Sequence, residues 1–344
     1  MFLVFTGLIV GALAVWAGVI ALTGLWIRPP HPGSADPAEG PADARERWAR
    51  LRAREVDFKP DCHGEIFEPA RGAEQRPTVA VFHGFTNCPA QFAAVAAELA
   101  GHGHTVYVPT APYHGLAEPR GLALARLTTE ELVAHVNETI DIAAGLGMPV
   151  WTLGLSTGGV LAEWAGATRH EVTRVVSIAP AASPYGVGMR LLRIAVALRY
   201  LVNRLGTYVW WDPKLKEALS DSGGHAYPGF PARAILQYWR LSVALHDRRV
   251  IPDHLLDSVV LLLNPDDKAI DAASARQMTQ RTFSGFASRL AEFDLRPGLD
   301  WGHDFVDQNN DHHGSPTQIA DLVRAGFGVD EAALDAGWAE ARPL

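Results

Sequence analysis

Cysteine is nearly absent from this chain: 344 residues hold two, Cys62 and Cys88. No C-x-x-C pair occurs, which argues against a zinc knuckle and a thioredoxin-type redox centre. The two read first as isolated buried thiols. A single disulfide is the alternative, because Cys62 lies just before the first expected strands and Cys88 just after one of them. It would imply an oxidising compartment. Positive charge is also short. The formal net charge is -8, so no overall basic field draws nucleic acid. Lysine is scarce beside arginine, a bias that reads as genome composition. No internal repeat is found. With 48% hydrophobic and 20% charged residues, the chain reads as globular and long enough for a substantial core.

Charge is missing altogether from Phe2 to Ile27, a run longer than the ~20 residues that span a bilayer as a helix. A secretory signal wants a basic n-region and a shorter apolar core. An uncleaved transmembrane anchor over residues 1–27 is therefore the first reading. A cleaved signal is the second and a buried soluble helix the third. Trp26 beside Arg28 suits a membrane interface. Arg28, Arg45 and Arg47 follow the run and no Lys or Arg precedes it, which leans towards a cytoplasmic catalytic domain. A Cys62–Cys88 disulfide would argue the opposite, and the side stays open. Residues 28–44 are rich in Pro, Ala and Gly and read as a linker. A short charged helix is expected over Ala44–Phe58. The division is thus an anchor (1–27), a linker with that helix (28–57) and one catalytic domain (58–344).

Beyond it, strands and helices alternate. PTVAVFHG (77–84), HTVYVPTAP (104–112), MPVWTLGL (148–155), VTRVVSIAPA (172–181) and SVVLLLNPDD (258–267) read as buried strands. Helical patterns separate them, one opening on the capping sequence Thr128-Thr129-Glu130-Glu131. This is an α/β chain with a mostly parallel sheet covered by helices on both faces. The rhythm breaks over about 182–258, where two long helical patterns join aromatic and glycine-rich loops. A final α/β unit follows, with a loop holding Trp301-Gly302-His303-Asp304, and then a closing helix, SPTQIADLVRAGF.

At the end of one buried strand stands Gly154-Leu155-Ser156-Thr157-Gly158. The string alone is weak in a glycine-rich chain. A strand before it and a helix after it form the setting of a nucleophile on a sharp turn. A serine needs a base, and the base an orienting acid, in the chain order Ser, acid, His. Asp267, just past a strand, is the favoured acid, because Ile270 would tuck back and hold its loop. Asp266 is its rival. His303 is the favoured base. His312 and His313 sit in a hydrophilic string and read as solvated, with no third ligand evident for a metal. Acyl transfer also needs two N–H donors for the oxyanion. These would be Thr157, right after the nucleophile, and Phe85 in the loop His83-Gly84-Phe85-Thr86. His83 itself reads as a structural histidine bonded to backbone.

VFHGFT, GLSTGG, NPDDKAI and GHD resemble the serine α/β-hydrolases, especially the monoacylglycerol-lipase and carboxylesterase branch with its serine-aminopeptidase-like sequences. The similarity runs from about Pro77 to Phe327. It includes PTAPYHG (109–115), in which Tyr113 stands where that branch usually has glycine. The resemblance implies the α/β-hydrolase fold, a helical cap insertion over about 182–258, and no cofactor or metal.

The reading is a membrane-anchored serine hydrolase that cleaves carboxylic esters, acyl-lipid or other apolar ones, through an acyl-enzyme on Ser156. Tyr208, Trp210, Trp211, Tyr238 and Trp239 of the cap suit an apolar group or are simply cap core. An aminopeptidase or amidase with the same triad is the alternative. An inactive membrane-tethered binding protein on the same scaffold is the alternative of another class. The sequence does not report the oligomeric state.

Overall fold

A computed structural model describes residues 27–199, 206–211, 224–247 and 256–344, together with Gly11. The anchor expected over 1–27 lies almost wholly outside these residues. Among the described residues no helix is long and apolar enough to cross a membrane.

The chain enters through helix α1 (Pro41–Arg52) and edge strand β1 (Glu65–Phe67), then alternates: β2 (Thr78–Phe82), α2 (Ala93–Gly101), β3 (Val106–Val108), α3 (Thr129–Leu146), β4 (Val150–Leu155), α4 (Thr157–Thr168) and β5 (Val172–Ile178). The insertion that follows holds α5 (Met189–Ala197), the strands β6 (Tyr208–Trp210) and β7 (Gly229–Pro231), and α6 (Ala232–His246). The main sheet resumes with β8 (Ser258–Leu263), α7 (Ala272–Thr282) and β9 (Leu290–Leu295), and ends with α8 (Pro316–Gly326), α9 (Ala332–Asp335) and β10 (Ala339–Pro343).

Eight strands make one sheet in the order β1-β3-β2-β4-β5-β8-β9-β10. The six inner strands run parallel, and β1 and β10 close the two edges antiparallel. Every residue of β2 and β4 is buried, as expected of parallel strands covered on both sides. Helix α2 packs with α8 and α3 packs with α4, so both faces carry helices. The capping box of α3 forms as its sequence implies: Thr128 Oγ1 accepts from Glu131 N at 3.2 Å and Glu131 Oε2 from Thr128 N at 2.9 Å.

Three expectations change. Residues 28–44 are not a loose linker. Asn137 Nδ2 donates to Pro32 O at 2.8 Å, and Asp141 accepts from Asp36 N and Ala38 N, each at 3.0 Å. Arg169 fixes that station, binding Asp141 at 2.5 Å and Glu171 at 2.8 Å. Backbone polar groups find partners without a regular element, so composition alone did not reveal the docking. The charged helix starts at Pro41 and stops at Arg52, short of Phe58. The chain does not close on α8, because β10 follows; its Arg342 bonds Glu292 on β9, and alternating charge hides this edge strand.

The cysteines depart from their first reading as well. Cys62 and Cys88 form a disulfide with an S–S distance of 2.11 Å, and both are fully buried. It ties the segment before β1 to the loop after β2.

Candidate active site

The carboxyl ends of the central parallel strands converge on one cavity of about 670 Å3. In a sheet of this kind, loops at those ends build binding sites.

Ser156 sits between β4 and α4 with φ 59° and ψ −118°, a backbone conformation rarely taken by a residue with a side chain. Such a conformation costs ~1–3 kcal/mol and persists only where surroundings hold it. Here Ser156 N donates to Ile178 O and Ser156 O accepts from Ala181 N, each at 2.9 Å. The flanking glycines are required by space. A Cβ on Gly154 would stand 2.1 Å from Gly158 O, and one on Gly158 would stand 2.0 Å from Phe82 O. The turn thus lifts Ser156 into the cavity wall at the N-terminus of α4, where partial positive charge gathers.

His303 also lines the cavity, and its Nδ1 meets Asp267 Oδ2 at 2.6 Å. The other Asp267 oxygen accepts from Ala269 N at 2.7 Å, which fixes the carboxylate after β8. Ile270 is buried and bridges to Pro184, while Asp266 is exposed. Burial pushes the His303 pKa down, but the hydrogen bond and charge of Asp267, aided by Asp304, outweigh it and hold the imidazole above its usual value. His312 points elsewhere and pairs with Asp300 at 3.3 Å. Among the described residues no group of three or more His, Cys, Asp or Glu side chains could hold a metal ion.

Gly84, Phe85, Thr86 and Thr157 line the same cavity. The Phe85 peptide is oriented by His83. Ala111 N donates to His83 Nε2 at 3.0 Å, so the ring proton sits on Nδ1 and is given to Gly84 O at 2.9 Å. In a trans peptide N–H and C=O point opposite ways, so the Phe85 N–H is directed away from His83. Burial drives the His83 pKa down to about 3, so the ring stays neutral and the tautomer is secure. Thr86 has φ 65°, and the cap holds it: Trp211 Nε1 donates to Thr86 Oγ1 at 2.8 Å and Tyr227 N to Thr86 O at 2.7 Å. The Phe85 ring packs edge-on against Phe230, Tyr238 and Trp211.

Tyr113 takes φ 65°, the left-handed conformation that favours glycine. Its phenol donates to Glu131 Oε1 at 2.6 Å and Arg126 lies over its ring, so the turn forms without glycine.

The cavity is largely apolar, walled by Leu155, Val209, Trp211, Phe230, Leu236 and Trp239 among others. Of the five cap aromatics singled out in the sequence, Trp211 and Trp239 line it. Tyr238 is buried behind Phe85, and Tyr208 and Trp210 are absent from the lining. Sequence reasoning missed several polar lining residues, among them Asn87, Gln91 and Asp304. Two signals could have found them: Gln91 interrupts an apolar helical run, and Asp304 directly follows the favoured base.

Comparisons with known proteins agree with this layout. The family model described as "Serine aminopeptidase, S33" matches residues 73–222. A comparison with curated protein sequences finds no match. Among solved structures, the metagenome-derived lipolytic enzymes LipS and LipT are similar at 17% identity and TM-score 0.57, over 79% of this chain and 100% of that one. The monoacylglycerol lipase of Paleococcus ferrophilus is similar at 15% identity and TM-score 0.55, over 77% and 98% of the chains. A soluble variant of monoglyceride lipase from Saccharomyces cerevisiae is similar at 16% identity and TM-score 0.56, over 78% and 91%.

Proposed function

We propose that the chain is a lipase- and esterase-like serine α/β-hydrolase, as the family match over residues 73–222 and the shared fold support, and that it cleaves apolar carboxylic esters through an acyl-enzyme on Ser156. One observation carries this reading: His303, bound to Asp267 at 2.6 Å, opens into the same apolar cavity as Ser156. Ser156 Oγ attacks the acyl carbonyl while His303 Nε2 takes its proton. Asp267 holds the imidazole tautomer and stabilises the imidazolium. The N–H groups of Phe85 and Thr157 receive the oxyanion. His303 then protonates the leaving alcohol, and water releases the acid.

An ester fits better than an aminoacyl amide. Asp304 is the acidic residue of the cavity lining, and both its oxygens already accept hydrogen bonds, from Gln91 and Asn87. Among the described lining residues no carboxylate is without protein donors, which favours a neutral ester over a substrate ammonium. An acyl-chain-length series of esters, run beside aminoacyl amides, tests the reading. Turnover should favour esters with an extended acyl chain, and a clear amide preference would overturn it.

The proposal includes a membrane anchor in Phe2–Ile27, joined to the cap. Ile27 is buried against Met189, Leu192 and Val196 of α5 and Leu236 and Val243 of α6. Five of the eight large apolar side chains exposed among the described residues belong to the cap: Tyr185, Leu191, Ile194, Val209 and Trp211. An anchor ending there turns the cap towards the lipid. The disulfide favours an oxidising, extracytoplasmic side. The opposite lean from arginines weakens, since Arg45 pairs with Glu68 and Arg47 with Asp36 and Asp43 in the folded domain.

A further inference from the structure

Gly84 immediately precedes the proposed oxyanion donor Phe85, and its own N–H points away from the substrate. That N–H donates to Gln91 Oε1 at 2.7 Å. Gln91 Nε2 in turn donates to Asp304 Oδ1 at 2.7 Å. The amide orientation is fixed by its partners: an N–H demands the oxygen and a carboxylate demands the nitrogen. The amide also lies close against Gly84. A Cβ at that position would stand 3.2 Å from Gln91 Nε2.

The second oxygen of Asp304 accepts from Asn87 Nδ2 at 3.0 Å. Asn87 Oδ1 accepts from Cys88 N at 2.9 Å, next to the disulfide. Asn87 Nδ2 also reaches Asp307 Oδ2 at 3.3 Å, and that oxygen pairs with His225 of the cap at 2.7 Å. Asn87 and Gln91 are both 3% exposed. The loop after β2 is thus tied at two points to the residue that follows His303.

We propose that Gln91, braced by Asp304, is a positioning residue that sets the oxyanion-binding peptide in register with the histidine loop. His83 holds the carbonyl of the Gly84–Phe85 peptide, and Gln91 holds the N–H one peptide earlier. With both held, Phe85 N–H cannot swing when negative charge develops. Burial, then the charge of Asp307, raises the Asp304 pKa to about 6 against the pull of His303, Gln91 and His225, so above that pH it performs this as a carboxylate that accepts on both oxygens. The charged or titratable groups facing it are Asp307, His303 and His225. The inference rests on the ester-hydrolase reading above.

Two variants of the full chain test it, with kcat and KM measured on one ester from pH 5 to 9. Gln91→Met keeps the length and removes both hydrogen bonds. A displacement of about 1 Å in a catalytic group is enough for an effect on the order of 100-fold, so kcat should fall about 10- to 100-fold with KM within about threefold. Gln91→Glu still accepts from Gly84 N but places a second carboxylate on Asp304, and the pair then binds a shared proton. Its activity should approach wild type at the acid end and decline as pH rises, a descending limb absent from the wild-type profile. Gln91→Met at wild-type kcat, or a Gln91→Glu profile parallel to wild type, overturns the inference. A wild-type protein that turns over no ester contradicts the proposed function instead.

Discussion

Glu163 lies on α4, seven residues past Ser156, and is fully buried. Hydroxyls face it: Thr279 Oγ1 donates to Oε1 at 2.9 Å, and Ser177 lies beside it. Burial dominates and raises its pKa from 4.5 to about 8, against the lowering effect of those hydroxyls. The native state therefore keeps the carboxyl protonated through neutral pH, whereas the unfolded chain ionises it near 4.5. Between those values the native state binds one proton more than the unfolded state, so this group's contribution to stability falls as pH rises. The slope is about 1.4 kcal/mol per pH unit. Glu163→Gln copies the neutral acid and cannot ionise. Relative to wild type, the variant should gain about 3 kcal/mol between pH 5 and pH 7.5. Urea unfolding of both proteins, followed by tryptophan fluorescence at several pH values, measures this difference, and other titrating groups cancel in it. A difference that stays flat across that range would refute the buried neutral acid.

Four further outcomes follow from the same geometry. With His303 held above its usual pKa by Asp267, wild-type kcat/KM should rise with pH through a midpoint above 6.5; Asp267→Asn should cut kcat by about 10⁴-fold, as loss of the orienting acid does elsewhere. A pH–rate profile of each protein checks both. Arg169→Ala should cost about 3–5 kcal/mol in urea unfolding, because it strands the buried carboxylates of Asp141 and Glu171. Cys62 and Cys88, in protein taken from its native cells and denatured, should resist alkylation until reduced; labelling without reductant would place the domain in a reducing compartment.

The inner strands and the serine turn were legible in the sequence because they follow from one-dimensional rules. Buried parallel strands read as continuous apolar runs, and glycines on either side of Ser156 mark a turn too tight for a Cβ. Choosing Asp267 over Asp266 also rested on a local rule, that Ile270 would anchor the loop. The edge strands β1 and β10 were invisible, being short and partly polar. The docked segment 28–44 was invisible for a different reason: its partners, Asn137 and Asp141, lie about a hundred residues away. Gln91 and Asp304 escaped because their meaning is relational. An amide carries no signature of the backbone N–H on one side and the carboxylate on the other until the fold brings the three together.

The central claim is that Ser156 is an activated nucleophile served by His303. Incubation of the full chain with a fluorophosphonate probe, followed by peptide mass analysis, tests it most directly. The account predicts a covalent adduct on Ser156 in wild type, lost in Ser156→Ala and strongly slowed in His303→Ala. A folded wild-type protein that stays unlabelled, or an adduct on another residue, would contradict it.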